Sequence, residues 1–216
     1  MGIILTCLPR RGASANAGLH PLTGTRSAAI LASHRSDVAE TATIYNFSID
    51  LADMDRGVYE TLELRVARHP SETAEYMLVR VLAYCLEYQE GITLTEGVSS
   101  GDEPALLVRD LTGRVTAWIE VGMPDAARLH RGSKHAGRVA VYTHRDTRQL
   151  IAQLSGAKIH RGGEIPIRAF NRATIDEIVA LIDRRTSLSI SVTHGELYIS
   201  IGARNFTLPM VEHRLV

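Results

Sequence analysis

Cysteine is almost missing from this chain: Cys7 and Cys85 are the only two in 216 residues. That excludes a disulfide scaffold, and with no Cys pair at ligand spacing it excludes a thiolate zinc site. Cys85 falls on an apolar helix face and Cys7 in a stretch without folding periodicity, so a reducing, cytoplasmic setting is expected. Long apolar runs are missing too. No window approaches the roughly 18 residues that a membrane-spanning helix needs, and no membrane contact is expected. Aromatic residues make up 5%, and none interleave with basic residues as a single-strand stacking platform would require. There is no GxxxxGK[ST] phosphate loop, no GxSxG elbow and no HExxH pair; Gly162-Gly163 is only a turn.

Net charge is absent as well, with 24 basic against 24 acidic residues. The average conceals an asymmetry. Residues 1–37 carry Arg10, Arg11, Arg26 and Arg35 but one acid, Asp37, which leaves the remainder at 20 basic against 23 acidic residues. A domain of that balance is no generic polyanion binder, and any nucleic-acid contact must come from a local patch. One such patch exists between 128 and 148: Arg128, His130, Arg131, Lys134, His135, Arg138, His144, Arg145 and Arg148, against the single acid Asp146. Arg65, Arg68 and His69 add charge ahead of the first helix.

What is present is a globular domain, 38–216, preceded by an extension, 1–37, that shows no sustained period and is expected to hold little packed structure. Alternation predicts a strand at 43–51 and a second at 58–66, joined by the turn Asp53-Met54-Asp55-Arg56-Gly57. Pro70-Ser71 stops the strand and opens a helix from about 71 to 90, whose stripe is Ala74, Met77, Leu78, Val81, Leu82 and Cys85. Glu75 lies at the edge of that stripe and Glu72 on its wet flank. Short strands are expected at 92–95 and 106–110, and a longer one at 114–121 with Glu120 near its end. A helix at 125–135 has a narrow inner edge of Leu129, Gly132, Ser133 and Ala136. Further elements are a strand at 139–143, a helix capped by Asp146 and running to 154, a strand at 165–169, a helix at 174–183 and a closing hairpin, 187–193 with 196–201. The expected fold is α/β (α+β): a mixed sheet flanked by helices.

Three acids stand out as candidate metal ligands: Glu75, Asp102 and Glu120. Phosphodiester cleavage needs a divalent cation to activate water and to neutralise phosphate charge, and Mg²⁺ or Mn²⁺ takes oxygen ligands. Carboxylates from separate elements repel one another until a cation joins them. A basic surface beside such a cluster suits a polyanionic substrate.

The strings Ala52-Asp53-Met54-Asp55-Arg56, Arg68-His69-Pro70-Ser71-Glu72-Thr73, Gly101-Asp102-Glu103-Pro104 and Trp118-Ile119-Glu120-Val121-Gly122-Met123-Pro124 resemble the bacterial YaeQ family, as does the hairpin Gly195-Glu196-Leu197-Tyr198-Ile199-Ser200. The resemblance covers about residues 38 to 202, and the Arg-His-Pro-Ser-Glu-Thr string is its most specific piece. It places the family's initiator methionine at Val38. Residues 1–37 are therefore expected to be an artefact of start assignment, and N-terminal mass spectrometry finding a mature chain that includes residue 20 would sink that expectation.

YaeQ chains look like a compact variation on the PD-(D/E)XK nuclease fold. The resemblance then implies Asp102 as the first metal-holding acid, Glu120 as the second and Glu75 as an extra ligand. It also locates a departure: two residues after Glu120 stands Gly122 where such nucleases carry lysine. The matching cation is expected on the following helix, at Arg131 or Lys134. Arginine clamps phosphate well but does not give up its proton. The implied function is a Mg²⁺- or Mn²⁺-dependent phosphodiesterase acting on DNA or RNA, with Asp102, Glu120, Arg131 and Lys134 catalytic and with Arg68, Arg131, Lys134 and Arg145 gripping the backbone. A nucleic-acid-binding module without turnover and a protein-interaction domain are the alternatives.

Overall fold

The computed structural model describes residues 42–95 and 103–215. Strands β1 (Thr43–Asp53) and β2 (Val58–Arg68) pair antiparallel over their whole length. The alternation has the expected result: Phe47, Ile49, Leu51, Leu62, Leu64 and Val66 share one buried face. Helix α1 follows at Ala74–Leu86. It is shorter than its periodicity suggested, because Thr73 is the cap, its hydroxyl accepting from the Tyr76 amide. Nine residues of α1 are buried, on every side of the helix. A helix apolar all round belongs in the middle of a core, so α1 is enclosed by the sheet instead of flanking it.

The remaining elements are β3 (Ile92–Leu94), β4 (Leu106–Arg109), β5 (Val115–Val121), α2 (Ala126–His135), β6 (Arg138–Thr143), α3 (Thr147–Leu154), β7 (Pro166–Phe170), α4 (Arg172–Val179), β8 (Arg185–Thr193), β9 (Glu196–Ile201) and β10 (Arg204–Arg214). Ten strands form one mixed sheet in the order β2-β1-β8-β9-β10-β7-β6-β5-β4-β3. β1–β8, β5–β6 and β6–β7 are the parallel pairs among the described residues. The architecture is thus α+β, a large mixed sheet with four α-helices among the described residues.

Sheet curvature is written in α1, which touches β2 at one end of the strand order and β3 at the other. Arg80 of α1 spans that gap. Its Nη1 donates to the Ala67 carbonyl of β2 and its Nη2, at 2.6 Å, to the carbonyl of Thr95 just past β3. The sheet therefore wraps nearly closed around the helix. A second cluster fills the outer face of β5–β7, where Trp118, Val139, Val141 and Ile167 meet Leu129 of α2 and Leu150 and Leu154 of α3. Ile175 and Ile178 of α4 join the inner core with α1.

One expectation is corrected. Glu72 is not on a wet flank: it precedes the helix, is 2% exposed, and its carboxylate takes Arg80 Nη1 at 3.0 Å. Arg80, its partner, is 1% exposed and carried no signal in the sequence. β10 was not foreseen at all. It pairs with β9 through Pro209 and then with β7 from Met210. Proline cannot donate to a ladder, and its presence argues against a strand unless the partner changes there, as it does.

Candidate functional site

The three neighbouring parallel strands β5, β6 and β7 end side by side at Val121, Thr143 and Phe170. Each is followed within five residues by a helix, so α2, α3 and α4 all begin at one sheet edge. Their caps are Asp125, Asp146 and Asn171, which accept from the amides of Arg128, Arg148 and Thr174. Helix N-termini carry partial positive charge and exposed N–H groups, and open α/β sheets bind ligands beyond the carboxyl ends of their strands. The edge is the natural place for an anion.

Glu120 sits there, 2% exposed, on the strand face that looks at α2. Oε1 accepts from Trp118 Nε1 at 2.8 Å and from Arg128 Nε at 3.1 Å, and Oε2 accepts from Arg128 Nη2 at 3.1 Å. Arg128 Nη2 also donates to the Glu103 carbonyl at 2.6 Å. Burial pushes the Glu120 carboxyl above its ordinary range, opposed by Arg128 and Trp118. It borders a cavity of about 290 Å³ shared with Tyr76, Met123 and Arg128. Across the Tyr76 ring lies a second cavity of about 380 Å³, bounded by Gly122, Arg145, Gln149 and Arg172. Burial raises the Tyr76 phenol to about 12, so it stays protonated between the two.

Gly122 has φ +85°, and a Cβ there would stand 3.2 Å from the Tyr76 ring. The backbone geometry alone explains why no lysine occupies the position. Gly132 answers to a similar contact: its Cβ would lie 2.6 Å from Trp118 Cδ1. The small inner edge of α2 is what lets the helix settle on the indole that holds Glu120.

Of the residues singled out from sequence, Glu120 and Arg145 stand on this edge. Glu75 is partly exposed in the first turn of α1. Its own backbone N–H holds the carboxyl below the usual range against the opposing effect of burial, with Thr73, His144 and Arg145 adding to the lowering. Asp102 lies outside the described residues. Arg68 is occupied at the β2–α1 turn, Nε donating to the Glu72 carbonyl at 2.8 Å. Arg131 and Lys134 border another groove of about 540 Å³, with His130, His135 and Lys158, on the far side of α2 from Glu120. The guanidinium that meets Glu120 is Arg128. A helical wheel at roughly 100° per residue carries the signal: Arg128 lies about 90° from the middle of the Leu129-Gly132-Ser133-Ala136 stripe, Arg131 and Lys134 about 150°. Tyr76, His144 and Arg172 had no such signal, since strand order brings them together. Among the described residues no three His, Cys, Asp or Glu side chains gather as a metal site would require.

The motif strings are largely structural. In the string from Arg68 to Thr73, the Glu72 carboxylate also accepts the His69 amide at 3.2 Å, and Ser71 Oγ is 2.7 Å from His69 Nδ1. It builds the turn that delivers α1 into the sheet. Arg56, held to Asp53 at 2.6 Å, donates to the Cys85 and Tyr88 carbonyls at the other end of α1.

The family model described as YaeQ protein matches residues 38–210. The chain belongs to the YaeQ family. It is 30% identical to the "Uncharacterized protein YaeQ" of Escherichia coli (strain K12) over 169 residues, 78% of this chain and 93% of that one. Two crystal structures of YaeQ proteins are similar to it. That from Pseudomonas syringae has a TM-score of 0.72 at 31% identity, covering 79% of this chain and 95% of its own. That from Xanthomonas axonopodis pv. citri has a TM-score of 0.74 at 29% identity, covering 82% and 100%. The extension before Val38 lies outside the family match, and no helix among the described residues is long and apolar enough to cross a membrane.

Proposed function

We propose that the carboxyl edge of β5–β7 binds the phosphodiester backbone of DNA or RNA. The supporting observation is the convergence of three helix N-termini with Arg128, Arg145 and Arg172 around two adjoining cavities. Phosphate is favoured at such termini, and guanidinium groups match it in bidentate geometry. Glu120 fixes Arg128 through both of its oxygens, so its first role in this reading is to aim a guanidinium.

A divalent cation fits the described residues poorly. Both Glu120 oxygens are already engaged, and among the described residues no three His, Cys, Asp or Glu side chains gather. Cleavage with Mg²⁺ or Mn²⁺ remains the second reading because Asp102 immediately precedes Glu103, whose carbonyl takes Arg128. Its superfamily rationale is the PD-(D/E)XK likeness that the motif strings imply.

Fluorescence anisotropy with labelled single- and double-stranded oligonucleotides tests the first reading. Binding should weaken steeply with salt, and Arg145→Ala with Arg172→Ala should each lower affinity several-fold; a flat salt dependence would remove phosphate contacts. Calorimetric titration with Mn²⁺, on wild type and Asp102→Ala, tests the second. Heat that vanishes in the variant would restore the enzyme, and none in wild type would remove it.

A further inference from the structure

Beyond the phosphodiester surface, we infer that the cavity between the ends of β6 and β7 is a phosphomonoester site sized for a nucleoside monophosphate. The cavity has a volume of about 520 Å³ and is bounded by His144, Arg145, Asn171, Arg172, Val211 and His213. Volumes of roughly 300–1,000 Å³ suit small ligands, and most such sites pair apolar walls with a few fixed polar groups.

Three observations converge there. His144 is 4% exposed yet its Nδ1 has no hydrogen-bond partner. Buried polar atoms are nearly always satisfied, so one left open beside a cavity asks for an explanation. Secondly, Arg145 and Arg172 approach from separate elements, each in the turn that starts a helix, α3 and α4, both eight residues long. A dianionic phosphate group would meet two guanidinia and two sets of N-terminal amides. Thirdly, the opposite wall is apolar: Ala169, Phe170, Pro209 and Val211. Phosphate alone leaves that wall uncovered, whereas a ring attached to it through a short sugar would lie against it. Acids nearby offset part of that charge. Asp146 spends an oxygen on the α3 cap, and Asp176 is bridged to Arg172 at 3.7 Å on the outer side of α4. Glu75, which faces His144 and Arg145 from α1, is the remaining anion. Burial holds the His144 imidazole neutral against it.

The site shares Arg145 and Arg172 with the backbone-binding surface but needs neither Glu120 nor a cation. Calorimetry on the full chain with a nucleoside 5′-monophosphate, the corresponding nucleoside and inorganic phosphate tests it. The monophosphate should bind saturably and at least ten-fold more tightly than either half. Arg172→Ala and Val211→Asp change exposed side chains, so both should fold, as circular dichroism would verify; each should cost ten-fold or more, while Arg114→Ala, exposed and remote just before β5, should change nothing. Absence of saturable binding, equal affinity for the nucleoside or for phosphate, or indifference to both cavity variants would overturn the inference. Loss in Arg128→Ala with none in Arg172→Ala would reassign the ligand to the Arg128 cavity and overturn it equally. Oligonucleotide binding that survives when monophosphate binding fails would leave the backbone reading intact.

Discussion

Arg80 shows how much one side chain can decide. It is buried beside Glu72 and reaches one backbone carbonyl on β2 and another just past β3. Removing one member of a buried ion pair strands the other charge, at about 3–5 kcal/mol. Arg80→Ala should therefore lose about that much in urea unfolding, and Glu72→Gln in the Arg80→Met background should lose less than the sum of the single changes; additive losses would mean the two do not act as a pair. Gly122→Ala is a smaller test. With φ +85° and Tyr76 at 3.2 Å, it should cost about 1–2 kcal/mol, and Gly122→Lys should bring no cleavage activity. Two carboxyls predict opposite pH slopes. Asp55, fully exposed, is held below its ordinary value by the amides of Gly195 and His194. Its contribution is whole above the unfolded value of about 3.9 and is lost as pH falls through the lower folded one. Asp55→Asn should flatten the acid limb of stability against pH. Glu120, raised by burial, contributes fully below about 4.3 and loses that contribution as pH rises through its folded value. Stability relative to Glu120→Gln should thus fall over that rise; a difference constant with pH would contradict the burial argument.

At the scale of elements, helix α2 separates propensity from packing. Replacing Gly132 with alanine would favour an isolated helix by about 1 kcal/mol. Here the added methyl meets the Trp118 indole at 2.6 Å, and overpacking costs about 1–3 kcal/mol. Gly132→Ala should lower the midpoint of thermal unfolding, and any rise would show that the indole yields. The same helix marks what the sequence could tell. Its start near Asp125 and its inner edge were legible because local spacing dictates both. Its partner choice was not, since whether Arg128 or Arg131 meets Glu120 depends on how the helix is rotated on the sheet. α1 illustrates the converse. Its apolar stripe was plain, but burial on all sides follows from strands distant in sequence. Glu72 looked solvated only because its partner, Arg80, stands eight residues away. Pro209 hid β10 altogether, because a change of partner at one residue leaves no local trace.

Across the whole molecule, the carboxyl edge of β5–β7 exists because two parallel crossovers, β5-α2-β6 and β6-α3-β7, stand next to one another. Sequence proximity would have grouped Arg131, Lys134 and Arg145; topology groups Arg128, Arg145 and Arg172 instead. The remaining strands build the frame. Asp55 in the β1–β2 turn takes the His194 and Gly195 amides of the β8–β9 turn, both at 2.8 Å, locking two hairpins end to end. β10 then joins that frame to the strands that carry the site. Its first six residues belong to one half of the ladder and its last five to the other. Neither half can open without exposing amides in a segment the other needs. Hydrogen exchange should accordingly report one cooperative unit, with the amides of β9 and β7 released at the same denaturant concentration. Backbone cleavage between Ile201 and Arg204 would sever that shared seam, and loosen the phosphate-facing edge from a distance.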